Sequence, residues 1–288
     1  RTGTLDGCLA ELKCLVPKLL FHTYLKRVQA TSFKEVRESV REDPDKVVIQ
    51  VDFAENYTTK VQNEIQSGYC SYNQVTLFTV CVWEQTGTHS LVIISDYLSH
   101  DKYAAHTFFT LALQHLESKL KKKFKFIMAY SDGAASQFKQ KYFLCGITKM
   151  FPTSVNIQWN FFATSHGIGP VDGIGGETKQ RVATEVLTGK AQVTNSTQFA
   201  DVASSIAKKT DIIHCSTDQV KAAKVQLDSQ WQDIVGVPGT QNLHKAVKVA
   251  PYVLDTYIHA LTTEVKRHIF RKDIICGVSQ IGRASCRE

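Results

Sequence analysis

The sequence predicts an α/β protein: a mixed five-stranded sheet flanked by helices, led in by a helical segment over residues 1–45 and followed by an α-rich extension over 191–280. Three observations carry this prediction. Three β-branched and aromatic runs follow one another closely after Pro44, the apolar period lengthens to that of a helix over 101–120, and from residue 124 strand-like and helix-like segments alternate.

Taken in order, residues 1–43 set apolar and basic positions at helical spacing, with Thr31 or Ser32 as a cap before F-K-E-V-R-E-S-V-R-E. Strands are expected over 47–53, 74–84 and 89–97, the last two joined as a hairpin by a turn around Gly87. A helix over 101–120 has apolar residues at 105, 108, 109, 111, 113 and 116 and closes on Lys119, Lys121, Lys122 and Lys123, a charge that complements a helix C-terminus. A strand at 124–131, a helix at 134–150, a strand at 155–163 and a helix beginning within 172–178 and ending near 188 follow. That alternation implies parallel pairing through right-handed crossovers. The extension reads as a helix capped near Ser196 or Thr197, a short strand around I-I-H-C, a helix over 216–233, a P-G turn at 238 and 239, and an apolar segment at 252–270.

Composition narrows the classes without choosing a chemistry. With 43% hydrophobic residues in 288, the chain can bury one large core or two smaller ones. No apolar run approaches membrane-spanning length and no leader pattern opens the chain, so no membrane partner is expected and the protein reads as soluble and intracellular. The eight cysteines include no C-x-x-C pair, and Cys81 and Cys145 sit in apolar runs, a pattern of reduced, buried thiols. A formal charge of +7 is compatible with a phosphate backbone as partner, since Lys and Arg bind it by releasing counterions. The helical pattern already under way at Arg1 suggests a fragment, and Ile281–Glu288 (I-G-R-A-S-C-R-E) reads like a translated sequencing adapter, a non-native tail outside the fold.

The candidate chemistry lies in carboxylates at strand ends. Asp52 closes V-V-I-Q-V-D-F, Asp132 closes F-I-M-A-Y-S-D-G, and S-H-G-I-G-P-V-D-G-I-G-G-E adds Asp172 and Glu177. Each acid alone could be a turn or cap residue. Gathered at one sheet edge, such carboxylates repel one another unless divalent cations neutralise them, which suits a Mg2+ or Mn2+ site for phosphoryl transfer. Two ions about 4 Å apart activate the attacking oxygen and stabilise the leaving one. The glycine segment lacks the G-x-x-x-x-G-K-[ST] spacing, and Pro170 breaks a dinucleotide-binding reading.

Three strings, V-D-F-A-E-N-Y (51–57), S-D-G-A-A-S-Q-F-K (131–139) and F-F-A-T-S-H-G-I-G-P-V-D-G-I-G-G-E-T-K (161–179), resemble signature segments of transposon-derived animal proteins. The element order resembles the ribonuclease H-like core of retroviral integrases and DDE transposases, over 46–190. The resemblance implies DNA cleavage and strand transfer, a nuclear location, DNA as partner and a homo-oligomer; a catalytically inactive binding factor and a simple nuclease are its rivals. It makes Asp52 the bridging metal ligand and Asp132 its partner, with the third acid open between Asp172, from the local pattern, and Glu177, from the usual helical position. His166 would orient water or assist the leaving group. Gly167 and Gly169, with Gly173, Gly175 and Gly176, would let backbone approach phosphates, and Lys139, Lys141 and Lys179 would contact them.

Overall fold

A computed structural model describes residues 3–59, 73–164 and 169–271. Its elements in chain order are α1 (Leu5–Ser39), β1 (Lys46–Thr58), β2 (Gln74–Glu84), β3 (Gly87–Ser95), α2 (Lys102–Leu120), β4 (Phe126–Ser131), α3 (Lys141–Lys149), β5 (Asn156–Phe161), α4 (Pro170–Leu187), α5 (Ser196–Ile206), β6 (Thr210–His214), α6 (Thr217–Gln230), β7 (Lys245–Ala250), β8 (Val253–Tyr257) and β9 (Lys266–Ile269). The strands form one mixed sheet in the order β6-β3-β2-β1-β4-β5-β7-β8-β9. β1 is antiparallel to β2 and parallel to β4, and β4 is parallel to β5.

Strand alternation distributes side chains to two helical layers. On one face Val47, Ile49, Val51, Phe53, Phe78, Val80 and Val82 meet the apolar sides of α2, α3 and α6. On the other, Val75, Leu77, Val92 and Ile94 are covered by Val182 and Val186 of α4 and by Phe199, Ala200 and Ala203 of α5. Next to them Phe33, Val36 and Val40, at the C-terminal end of α1 and just beyond it, cover Val48, Tyr130 and Phe162. Asp101 caps α2 by accepting from the N–H groups of Tyr103 and Ala104, and the helix ends at Lys121 in the left-handed region, which turns the chain sharply into β4.

Three expectations are corrected. The sheet has nine strands among the described residues, not five, because the extension is only partly helical: α5 and α6 are joined by β6, which pairs with β3, and by β7, β8 and β9, which continue the sheet from β5. The lead-in is one helix from Leu5 to Ser39 with no break at Thr31 or Ser32, and its cap is Thr4. The glycine-rich segment enters α4 already at Pro170, since proline at the first helical position gives up no hydrogen bond and Asp172 caps the turn. The predicted tail at 281–288 lies outside the described residues.

Candidate functional site

Because Ile49, Val51 and Phe53 enter the main core, Gln50 and Asp52 face the opposite layer, as do Val48 and Ala54. On β4 Ile127 and Ala129 enter the main core while Met128 and Tyr130 face the opposite layer, so Asp132 follows them to the same side as Asp52. The parallel register pairs Gln50 with Tyr130, an offset of 130 − 50 = 80, and the same offset, 132 − 52 = 80, brings Asp52 level with Asp132 where β4 leaves the sheet. This is the carboxyl end of two parallel strands, the place where open α/β sheets bind ligands.

The electrostatics agree with that placement. Burial, then the charge of Asp132, then the charge of Asp172 push the Asp52 carboxyl up to about 7 against the opposing pull of the Phe53 backbone N–H. Asp132 is also raised, mainly by burial, although the Ala134 N–H and the ammonium of Lys139 counter it. Lys139, expected as a phosphate contact, is buried beside Asp132; its ammonium donates to the Gln241 carbonyl at 3.3 Å and lies 5.3 Å from the centre of the Phe161 ring. Burial lowers it to about 8, and Asp132 limits the fall.

The two candidates for the third acid separate. Asp172 lies in the first turn of α4, accepts from the Gly169 N–H at 2.7 Å, and its charge reaches Asp52. Glu177 is exposed, holds Arg181 at 2.6 Å, and borders a cavity of about 200 Å³ between α4 and the α5–β6 segment, lined also by Ala203, Ile206 and Lys208. His166 and Gly167 lie outside the described residues. Lys141 donates to the Ile234 carbonyl at 3.2 Å and Lys179 to the Glu55 carbonyl at 3.2 Å, so neither is next to the acids by a direct contact.

The glycines serve packing where they touch anything. A Cβ on Gly169 would stand 2.5 Å from Gln50 Nε2, and one on Gly175 would stand 3.0 Å from both Ala54 Cβ and Thr79 Cγ2, so α4 lies directly on β1 and β2. Gly173 and Gly176 face open space. We therefore expect Gly175→Leu to cost about 1–3 kcal/mol by overpacking, whereas Gly176→Ala gains up to about 1 kcal/mol of helix propensity. Urea midpoints of the two variants measure this, and equal destabilisation by both would contradict the packing role.

Two contributors were missed from sequence. Trp159 Nε1 donates to Ser131 Oγ at 2.9 Å, and Ser131 Oγ donates to the Asp132 carbonyl at 2.8 Å, a chain that ties the turn carrying Asp132 to the core. Gln50 stands against Gly169 at the start of α4, and its signal was present: in V-V-I-Q-V-D it is the polar residue two before Asp52 and so shares its face.

As a cation site, the Asp52–Asp132 pair has the right chemistry. It supplies hard oxygens whose mutual repulsion a divalent ion would relieve, and magnesium is commonly held by one or two carboxylates with water and phosphate completing its shell. Among the described residues no group of three or more His, Cys, Asp or Glu side chains is gathered as a metal-binding set. A family model described as "Domain of unknown function (DUF8701)" matches residues 29–260, a span that runs from the packed part of α1 through β8 and includes every candidate site residue. No curated protein matches the chain.

Proposed function

The chain belongs to the DUF8701 family, and we propose that it cleaves and joins DNA strands by metal-dependent phosphoryl transfer at the carboxylates of Asp52 and Asp132. One observation carries the reading: Asp52 on β1 is brought to about 7 first by burial and then by the charges of Asp132 at the end of β4 and Asp172 on α4. Selection for stability alone has little use for such a cluster, while a functional site does. The run β3-β2-β1-β4-β5 within the sheet, with only β2 antiparallel to its neighbours, supports a ribonuclease H-like core, extended here on both edges.

In this reading Asp52 and Asp132 hold Mg2+ or Mn2+, which when bound supplies Lewis-acid stabilisation of the phosphoryl oxygens. Asp172, in the first turn of α4 with its charge felt at Asp52, would be the third acid of that site. Lys139, buried beside Asp132, partly offsets the rise that burial imposes on that carboxyl. His166 is kept as a candidate for water orientation, and Lys141 and Lys179 as candidate phosphate contacts at longer reach. A nuclear location belongs to the same proposal.

The test is nicking of a supercoiled plasmid and joining of labelled duplex oligonucleotides, with Mg2+, Mn2+ or EDTA. We expect cation-dependent products and a loss of at least about 100-fold in Asp132→Asn with an unchanged circular dichroism spectrum. The alternative is a protein that binds DNA without cutting it. Cation-independent binding with no product in the parent chain, and equal binding in Asp132→Asn, would establish that alternative instead.

A further inference from the structure

We propose that residues 5–23 of α1 pair with the same segment of a second copy of this chain in a parallel two-stranded coiled coil. α1 meets the body at its C-terminal half: Tyr24 stands edge-on to the His259 ring at 5.3 Å, Leu25, Val28 and Gln29 are buried, and the Gln29 amide donates to the carbonyls of Phe161 and His244. Before that point the helix has large apolar side chains in water, Leu5 76% and Leu19 62% exposed among them.

Their spacing is ordered. Leu5, Leu9, Leu12, Val16, Leu19 and Thr23 follow one another at intervals of 4, 3, 4, 3 and 4, the seam of a heptad repeat. Leucine occupies every d position (5, 12 and 19), and the a positions are Leu9, β-branched Val16 and Thr23. Leucine at d with β-branched residues at a favours two parallel strands. In that arrangement each g residue meets the e residue five further along its partner. Leu15 then meets Leu20, both exposed in the single chain, and Cys8 meets Lys13, so no like charges face each other.

Charge and area also select a second copy as the occupant. Asp6 and Glu11 cancel Lys13 and Lys18 over residues 5–24 (2 − 2 = 0), which removes the cationic face that an anionic membrane or a nucleic acid would need and leaves no net self-repulsion. The seam and its Leu15 and Leu20 flanks leave on the order of 600 Å² of apolar surface per helix, so pairing covers about 1,200 Å², the lower bound of a specific interface. The pairing also explains why the segment is helical at all. Pro17 lies inside it at an outer position, an interior proline costs about 3 kcal/mol, and a helix of this length without a packed face is marginal in water.

Sedimentation equilibrium of the whole chain tests the proposal. A mass of twice the chain is expected, and Leu12→Asp with Val16→Asp should raise the dimer dissociation constant at least 100-fold while near-ultraviolet circular dichroism of the body stays unchanged. Phe21→Ser, an exposed apolar residue at the outer f position, should leave the dimer intact. In a Cys8→Ser, Cys14→Ser background, Leu12→Cys should form an oxidised cross-link between copies that the background alone does not. A monomeric or higher-order parent chain, a dimer that survives the double aspartate, equal loss in Phe21→Ser, or no cross-link through residue 12 would each overturn it.

Discussion

Asp52→Asn is expected to stabilise the cation-free protein at pH 8 by roughly twice as much as at pH 5.5. The folded protein holds the Asp52 proton to about pH 7, whereas an unfolded aspartate releases it near 3.8. Between those values the folded state binds more protons than the unfolded one, so stability falls as pH rises and the full cost is present above 7. The shift would correspond to roughly 4 kcal/mol if the carboxylate were fully enclosed, and partial exposure reduces this to about 2 kcal/mol. Asp132 is displaced in the same direction and adds to the slope. Asparagine keeps the shape and drops the charge, so the variant's melting temperature should be flat across this window while that of the parent declines. On the proposed reading Mg2+ reverses the decline: at 10 mM, with a dissociation constant on the order of 1 mM, it restores about 1.4 kcal/mol at pH 8 and almost nothing at pH 5.5. Thermal melts at both pH values, with and without Mg2+, measure all four quantities. A parent protein whose stability rises from pH 5.5 to 8 would refute the acidic cluster.

Trp159→Ala is expected to be the most damaging core substitution, costing about 4 kcal/mol. Trp159 is fully buried on β5, its ring centre 4.8 Å from those of both Phe109 and Phe143 in edge contacts and 5.7 Å from that of Phe138 in a stacked one. Alanine leaves a cavity that α2 and α3 cannot both close, because each is already seated on the sheet. It also removes the donor to Ser131 Oγ and loosens the turn that holds Asp132. Trp159→Phe separates the two contributions: it keeps most of the packing and loses the N–H, so it should cost about 1–2 kcal/mol. Chemical denaturation gives both values, and a fall of roughly 10 °C in melting temperature accompanies the alanine variant. A cost below that of Trp159→Phe would show that the indole does not organise this core.

Much of the site was legible because its signals are local. The polar pair Gln50 and Asp52 in a β-branched run declares a shared face, and Asp132 follows directly on β4, at the same offset from Asp52 as Tyr130 has from Gln50. The position of α2 followed its apolar period to within a residue. The burial of Lys139 was not legible because it depends on Phe161 and Gln241, far away in the chain, and a lysine's own neighbours do not reveal what will close over it. Asp172 and Glu177 could not be ranked from spacing. The ranking depends on where α4 begins, and a start at Pro170 places Asp172 in the capping turn and Glu177 against Arg181.

The sequence by itself determined the strand-end positions of Asp52 and Asp132 and the alternation of strands and helices through residue 187, because each is written as a period or a strand end within a few residues. Only the tertiary structure decided that β6 joins β3 and that β7, β8 and β9 extend the sheet beyond β5. These are strands of four to six residues; β6 and β7 dock on β3 and β5, far away in the chain, and β8 and β9 then follow β7 as consecutive antiparallel neighbours. Edge pairing satisfies backbone N–H and C=O groups whatever the side chains are, so a short strand's partner is chosen by which edge the rest of the fold leaves open.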